Sequence, residues 1–229
     1  MSTLFNTYLY QPILSVLVWI YHTIAFEDLG FAIILLTVLV RLVLFPVFHK
    51  GARDQALMQR LQPKIKKLQE EHKDNKEVQA KALMALYKDH KLNPFSGFLL
   101  LLVQLPIFIA LFQIFTKELG SALFDSHLLF GLINLETRNI WIAVLAAILQ
   151  YAQGKLSLKP TVSSGGDAKE AAAVMTGKVM VWIGPLFTLG VLFRLPAALG
   201  VYWTMSTLFS VVQQMYINKR LAEEHKKLN

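Results

Sequence analysis

Residues 29–48 read LGFAIILLTVLVRLVLFPVF, and this stretch decides the fold. It is apolar over about the 20 residues that a helix needs to cross the hydrocarbon core of a bilayer. It also contains Arg41, and an arginine at membrane depth costs roughly 2.5–3.5 kcal/mol on insertion scales. The stretch therefore predicts a transmembrane helix that carries one buried cation. The rest of the chain has to compensate for that charge.

The composition is that of a polytopic membrane protein. Of the 229 residues, 55% are hydrophobic and only 17% are charged, and the mean hydropathy is +0.46, which is typical of several membrane spans. The absence of cysteine excludes disulfide bonds, thiolate metal sites and a cysteine nucleophile. The first 26 residues contain no Lys or Arg, so we expect no cleavable signal peptide, which would begin with basic residues.

Five apolar segments are expected to span the membrane. They are residues 29–48, 95–115, 140–151 with flanking residues, 174–193 and 197–215, and the third is conspicuously short. Residues 8–26 are also uncharged, but they carry a polar stripe at helical spacing, formed by Tyr8, Gln11, Ser15 and His22. This stripe favours an amphipathic helix in the membrane interface, and a true span is the alternative.

Residues 50–92 differ sharply from the apolar segments. They hold 11 Lys and Arg residues against six acids. One apolar helical face is formed by Leu57, Leu61, Ile65 and Leu68, and a second is suggested by Val78, Ala82, Met84, Leu86 and Tyr87. The polar sequence HKDNKE separates the two faces, so the segment predicts a soluble antiparallel helical hairpin.

The distribution of basic residues predicts the orientation. Nineteen of the 23 Lys and Arg residues fall in the hairpin, in the loop at 154–178 or in the tail, which places all three in the cytoplasm. The predicted organisation is an extracytoplasmic segment with the interfacial helix (1–28), a first transmembrane helix (29–49), the cytoplasmic hairpin (50–92), transmembrane helices two to five (93–217) and a basic cytoplasmic tail (218–229). Residues 154–173, with Ser163 to Gly166, are expected to form a flexible loop.

Arg41 has no carboxylate partner within the predicted spans, because all 15 acids lie outside them. An acid that reaches in from a loop and a side chain that snorkels to the interface are the structural alternatives. The favoured interpretation is a water-accessible groove in the cytoplasmic leaflet. We expect it to be lined by Arg41, Thr37, Gln104, Gln150 and Trp203. Further polar residues at membrane depth, each compatible with a simple helix–helix hydrogen bond, are Gln113, Thr188, Thr204, Ser206 and Thr207.

Catalytic chemistry is not indicated. The chain has no HExxH, GxSxG or P-loop motif and no pair of intramembrane carboxylates, which argues against an enzyme and against a carboxylate-based ion relay. His22 and His49 lie at span edges and are interpreted as interfacial, so neither a metal nor a cofactor is expected. A groove with one positive charge and neutral polar groups would accommodate a polar, preferably acidic, peptide.

Four segments together resemble the YidC branch of the YidC/Oxa/Alb membrane protein insertases. They read LLTVLVRLVLFPV (35–47), MQRLQPKIKKLQEEHKDNKE (58–77), LYKDHKLNPFSGFLLLLVQLPIFIALF (86–112) and LPAALGVYWTMSTLFSVVQQ (195–214). The resemblance implies an all-α bacterial cell-membrane protein with five core transmembrane helices around a hydrophilic groove, with Arg41 as the groove arginine. Such a groove receives hydrophilic parts of nascent membrane proteins and releases their hydrophobic segments into lipid.

The resemblance also implies partners. Family members act alone or beside the Sec translocon and receive chains from the ribosome, without specificity for a nucleic-acid sequence. The expected contacts to the ribosome or to anionic lipid headgroups are hairpin residues Arg60, Lys64, Lys67, Lys73 and Lys76. The chain departs from many relatives by carrying Ser206-Thr207 where they have an asparagine. We expect neither the large extracytoplasmic domain that is typical of Gram-negative members nor the lipoprotein signal that is frequent in Gram-positive members. The rival functions are a solute channel or transporter and a structural assembly partner.

Overall fold

The structure is a computed structural model that describes residues 3–157 and 168–228. The predicted all-α fold is confirmed. The helices are α1 (Thr3–Phe5), a π-helical turn (Asn6–Tyr10), α2 (Gln11–Thr23), α3 (Leu29–Val43), α4 (Phe45–Glu71), α5 (Lys76–Asp89), α6 (Ser96–Lys117), α7 (Ile140–Ser157), α8 (Ala168–Leu192) and α9 (Ala197–Leu228). Two short strands, β1 (Leu128–Leu129) and β2 (Ile133–Asn134), form an antiparallel hairpin.

The N-terminal helices form one continuous path with a widened turn before Pro12. Proline has no N–H and its ring clashes with the carbonyl four residues earlier, and the π-helical turn lies at that position. Leu17, Ile20 and Tyr21 face inward and are buried. The predicted polar stripe faces outward, with all four members exposed: Tyr8, Gln11, Ser15 and His22. Whether this helix lies in the interface or spans the bilayer stays a prediction.

The helix expected over residues 29–49 is broken at Leu44. Asp28 caps the start of α3 by accepting a hydrogen bond from the backbone N–H of Phe31 at 2.7 Å. The helix ends at Val43, and α4 leaves at an angle of 71°. Pro46 explains the break, because its ring would clash with the carbonyl of Leu42 in a continuous helix. Arg41 consequently lies in the last turn of α3, closer to the helix end than the sequence suggests.

Among the described residues, three helical segments are long and apolar enough to cross a membrane, if the bent pair α3–α4 counts as one of them. The other two are α6 and α7, and Val181–Leu192 of α8 is a shorter apolar helix. The short gap between the fourth and fifth predicted spans is observed as a connection of four residues, 193–196, between α8 and α9. The polar tail is helical to Leu228 as a direct continuation of α9. The five-span topology stays a prediction. Half of the predicted flexible loop, residues 158–167 with Ser163 to Gly166, lies outside the described residues, and its two ends belong to α7 and α8.

The hairpin formed by α4 and α5 is present. Asn75 caps α5 by accepting hydrogen bonds from the backbone N–H groups of Glu77 and Val78, both at 3.1 Å. The two arms of the hairpin are held together by an apolar cluster. Leu61, Ile65 and Leu92 are buried in it, and these partly buried residues pack against them: Leu57, Met58, Leu83, Leu86 and Tyr87. The second predicted face was partly wrong, because Val78 and Met84 are exposed. Leu83 lies in the contact instead, one residue from the predicted Met84.

The core lies at the end of the bundle opposite the hairpin, which we call the far end. Leu17, Leu29, Leu111, Ile114 and Leu199 are almost completely buried there in one apolar cluster. The loop before α7 covers this cluster, since the carbonyls of Leu135 and Thr137 accept hydrogen bonds from the first backbone N–H groups of α9. The far end is therefore densely packed around this cluster.

Candidate functional site: a polar groove at the hairpin end

A cavity of about 630 Å³ opens between the helices at the hairpin end. Its wall on α6 is mainly apolar, with Leu100, Leu101, Leu105 and Phe108 beside Gln104. Its opposite walls on α7 and α9 are polar, with Gln150, Gln153, Ser157, Ser206, Thr207, Ser210, Gln213 and Gln214. The cavity is therefore amphipathic, and we refer to it as the groove.

Arg41 reaches the groove from the last turn of α3 and is 8% exposed. Its Nε donates a hydrogen bond to the hydroxyl oxygen of Ser206 at 3.0 Å, and its Nη2 donates to the same oxygen. The guanidinium carbon lies 4.4 Å from the centroid of the Phe48 ring, a distance at which a cation is attracted to an aromatic face. None of the ion pairs formed by the described residues involves Arg41. The groove thus keeps a full positive charge that is held by a neutral partner.

Two further contacts, about one helical turn before Ser206, join the α6 wall to the α9 wall. The side-chain amide of Gln104 donates a hydrogen bond to the hydroxyl of Tyr202, which links α6 to α9. The ring of Trp203 packs edge-on against Phe108 with centroids 5.6 Å apart. Aromatic pairs of this geometry add about 0.5–1.5 kcal/mol beyond the area that they bury. The α6 wall and the α9 wall are therefore held together near the level of Arg41.

Gln150 lies against Gly184 of α8. A Cβ atom at position 184 would lie 3.4 Å from the Cγ and 3.5 Å from the Nε2 of Gln150, which is ordinary van der Waals contact. The helices α7 and α8 therefore approach each other closely at a glutamine that lines the groove.

Four of the five residues expected in the groove line it: Arg41, Gln104, Gln150 and Trp203. Thr37 does not. Its hydroxyl donates a hydrogen bond to the carbonyl of Ile33 at 2.7 Å within α3, and the residue is 2% exposed. A threonine that satisfies its hydroxyl one turn back along its own helix needs no cavity.

The residue that sequence reasoning undervalued is Ser206. The sequence places it only among further polar residues at membrane depth, yet its hydroxyl is the acceptor for Arg41. The signal lies in the spacing of polar residues along α9, at positions 206, 207, 210, 213 and 214. Steps of three and four residues place them on one helical face, and all of them line the groove.

The basic residues expected on the hairpin differ in their surroundings. Lys64, Lys67, Lys73 and Lys76 are exposed, and Lys67 pairs with Glu71 at 3.8 Å. Arg60 is half-buried, because its guanidinium donates to two backbone carbonyls of α9. The four lysines are thus available to a partner, whereas Arg60 is already engaged within the chain.

Asp54 is a buried carboxylate where α4 leaves the groove wall. It is 4% exposed, and its Oδ2 has no hydrogen-bond partner among the described residues. Burial raises the pKa of the Asp54 carboxyl, and the backbone N–H of Asn93 and the charges of Lys50 and Arg53 only partly offset this effect. The carboxylate therefore weakens the packing of α4 at neutral pH.

The described residues contain one group that could hold a metal ion, and it lies away from the groove. His22, Glu27 and Asp125 are exposed near the far end, with one ligand atom of each within 4.8 Å of the others. Among the described residues that line the groove, none is a carboxylate or a histidine. The groove itself therefore offers hydrogen-bond donors and acceptors and one guanidinium, and no set of metal ligands.

Comparison with known proteins agrees with this geometry. The family described as 60Kd inner membrane protein matches residues 19–225. Proteins named "Membrane protein insertase YidC" from Francisella philomiragia and from Francisella tularensis subsp. novicida are 35% and 36% identical over 202 residues, covering 86% of this chain and 34% of each relative. The chain thus spans about a third of the length of these relatives. The match extends from within α2 to the last turn of α9, and the chain belongs to the 60Kd inner membrane protein family, as the YidC-like motifs indicate.

Proposed function

We propose that this protein is a membrane protein insertase. The observation that carries the proposal is a groove that is open at the hairpin end, packed shut at the far end, and supplied with one guanidinium that has a neutral partner. Such a groove can receive a polar segment halfway into the bilayer without forming a pore. Relatives that share the family carry the name of this activity.

The groove would act by lowering the desolvation cost of the polar segment. A polar group that is moved into hydrocarbon without a hydrogen-bond partner costs several kcal/mol. The glutamines and serines on α7 and α9 would replace part of the lost hydration, and Arg41 would attract acidic side chains in particular. The protein makes or breaks no covalent bond in this scheme, so we propose a non-enzymatic role.

The apolar wall supports release of the hydrophobic segment into lipid. Leu101 and Leu105 on α6 and Phe187 on α8 line the groove, and they are also 53%, 45% and 62% exposed on the surface of the bundle. A hydrophobic substrate helix could therefore leave sideways between α6 and α8. The substrate's polar part would stay in contact with α7 and α9 until the helix has left.

The proposed partners follow from the charge distribution and the family. Nascent membrane proteins are the substrates, delivered by the ribosome through the basic hairpin and tail, with or without the Sec translocon. The exposed lysines would also rest on anionic lipid headgroups. We place the protein in the bacterial cell membrane as a multi-pass protein with its C-terminus in the cytoplasm, in agreement with the positive-inside rule.

The decisive experiment measures insertion of a single-spanning substrate with an acidic tail into vesicles that contain the purified protein. Arg41→Ala should lower insertion at least about tenfold, the factor that corresponds to 1.4 kcal/mol, and Arg41→Lys should recover part of it. A substrate with an uncharged tail serves as the matched control and should be less sensitive. Full activity of Arg41→Ala on the acidic substrate would refute the groove mechanism.

A solute channel or transporter is the rival function, and the packed far end disfavours it. A channel requires continuous access across the membrane, yet Leu29, Leu111 and Leu199 fill the bundle beyond the groove. Flux of small solutes into vesicles that contain only this protein would favour the rival. An insertase predicts no flux above that of empty vesicles.

A further inference from the structure

The first arm of the hairpin and the C-terminal part of α9 are joined below the groove. Arg60 Nη1 donates a hydrogen bond to the carbonyl of Leu221 at 2.7 Å, and Nη2 donates to the carbonyl of Asn218 at 3.3 Å. The two carbonyls lie three residues apart on one helical face, so the planar fork of a single guanidinium reaches both. A lysine, with its single ammonium group, could not reproduce this geometry.

An apolar contact and an ion pair, one and two helical turns before Arg60 on α4, hold the same faces of α4 and α9 together. Ala56 of α4 packs against Ile217 and Leu221 of α9, and all three are buried. Arg53 and Glu224 form an ion pair at 3.5 Å, which is exposed and therefore worth little by itself. Arg53, Ala56 and Arg60 are spaced by about one helical turn each, so they form one continuous seam along the cytoplasmic part of α9.

Asn218 connects this seam to a third helix. Its side-chain amide donates a hydrogen bond to the carbonyl of Leu156 in the last turn of α7 at 2.9 Å, and its Oδ1 accepts one from Gln214 at 3.1 Å. The backbone carbonyl of the same residue accepts from Arg60. One residue therefore ties together α4, α7 and α9, and its neighbour Gln214 lines the groove.

We propose that Arg60 and Asn218 form a latch that fixes the width of the groove mouth. The three helices that meet at the latch supply Gln55, Ser157 and Gln214 to the groove lining, so separating them moves polar wall residues apart. Arg60 acts as a positioning residue that holds the hairpin to α9, whereas Asn218 holds α7 to α9 with its side chain. Because the hairpin is one side of the latch, a partner that displaces the hairpin would open the mouth. Only the opening of the mouth by a partner depends on the proposed insertase function, whereas the latch itself does not.

The absence of cysteine in the chain allows spin labels to be placed at chosen pairs of sites. Labels at Lys64 and Glu223 report the distance between α4 and α9, and labels at Lys155 and Glu223 report that between α7 and α9. In vesicles, Arg60→Ala should broaden the first distance distribution and leave the second unchanged. Asn218→Ala should broaden the second and leave the first unchanged, since the backbone carbonyl remains. Lys66→Ala, which removes an exposed charge from the same helix, should change neither.

Access to the groove supplies the second measurement. A single cysteine at Gln153 in the groove lining should react with a membrane-impermeant thiol reagent about tenfold faster when Arg60→Ala opens the latch, because hydrogen bonds from a charged donor are lost. Arg60→Lys should give an intermediate rate. Distances and labelling rates that stay at wild-type values in Arg60→Ala would overturn the latch. Neither readout depends on a substrate, so the latch and the insertase function can fail separately.

Discussion

Replacing Ser206 by alanine tests how Arg41 is stabilised. The serine hydroxyl accepts two hydrogen bonds from the guanidinium, and a hydrogen bond to a charged group contributes about 1.5–3 kcal/mol. Loss of this acceptor in a dry site would therefore destabilise the protein by several kcal/mol. The groove has room for water, since about 630 Å³ corresponds to on the order of 20 water molecules at about 30 Å³ each.

Water can replace part of what the hydroxyl provides, so the expected cost of Ser206→Ala is about 1–2 kcal/mol. The contact between Arg41 and Phe48 at 4.4 Å is retained in the variant and contributes about 0.5–2 kcal/mol. A larger cost would indicate that the groove excludes water around Arg41. A cost near zero would indicate that the serine does not hold the guanidinium at all.

A double-mutant cycle isolates the pair. Equilibrium unfolding in mixed micelles is measured for the wild type, Ser206→Ala, Arg41→Ala and the double variant. The coupling energy is the amount by which the double variant's change in unfolding free energy differs from the sum of the two single changes. We expect a coupling of about 1–2 kcal/mol, within the range for residues in direct contact. Ser210→Ala is the matched control, because this serine lines the groove one turn further along α9 and donates to the carbonyl of Ser206. Coupling of Arg41 to Ser210 as strong as its coupling to Ser206 would refute the assignment.

Three further predictions concern stability, and each is checked by the same unfolding measurement. The raised pKa of Asp54 means that burial of its charged form destabilises the fold at neutral pH, and this penalty disappears as the pH falls through the folded pKa towards 3.8. Asp54→Asn should therefore be more stable than the wild type at neutral pH and lose this dependence; an unchanged pH profile would contradict it. Tyr10→Phe removes a 2.7 Å hydrogen bond to Glu118 and should cost about 1 kcal/mol. Burial, with a contribution from Glu118, raises the pKa of Tyr10 to about 12, so its stabilisation should persist below pH 10 and be lost as the pH rises through 12. Because the chain has seven tyrosines, the phenolate signal of Tyr10 is the difference in absorbance between the wild type and Tyr10→Phe, and a difference that develops near pH 10 would contradict this. Gly30→Ala should lower the free energy of unfolding by about 1–3 kcal/mol. The new Cβ would lie 2.8 Å from the Cα of Leu129 and would displace the β-hairpin. Gly97→Ala, which has open space around its Cβ, is the control and should change stability less.

Features with a strong local cause could be predicted from the sequence. The alternation of apolar and basic segments indicates the helices of the bundle and the hairpin, and Pro196 marks the return between the last two helices because proline is favoured at a helix start. Gln104 and Gln150 were placed in the groove because glutamines at membrane depth need polar surroundings. These signals depend on residue type alone, and tertiary packing did not override them.

Other features depend on backbone geometry that residue types do not record. The guanidinium of Arg60 is held by two carbonyls, and every residue carries a carbonyl, so nothing in the sequence marks Asn218 and Leu221 as acceptors. Arg60 therefore looks identical to the exposed lysines around it. Likewise, Thr37 lies one turn before Arg41, yet the rotation of α3 directs its hydroxyl to its own helix. The direction of a side chain and the carbonyl that it reaches are decided only when the helices pack against each other.

The neutral partner of Arg41 has a consequence for which substrates the groove can take. A carboxylate at position 206 would satisfy the guanidinium more strongly, but a buried ion pair has no net charge to offer an incoming segment. A hydroxyl stabilises the orientation of the guanidinium and leaves its charge uncompensated. Of the five N–H donors of an arginine, the described residues engage two, both at Ser206. The same arrangement that makes Arg41 tolerable in the bundle thus keeps its charge and its remaining donors available in the groove.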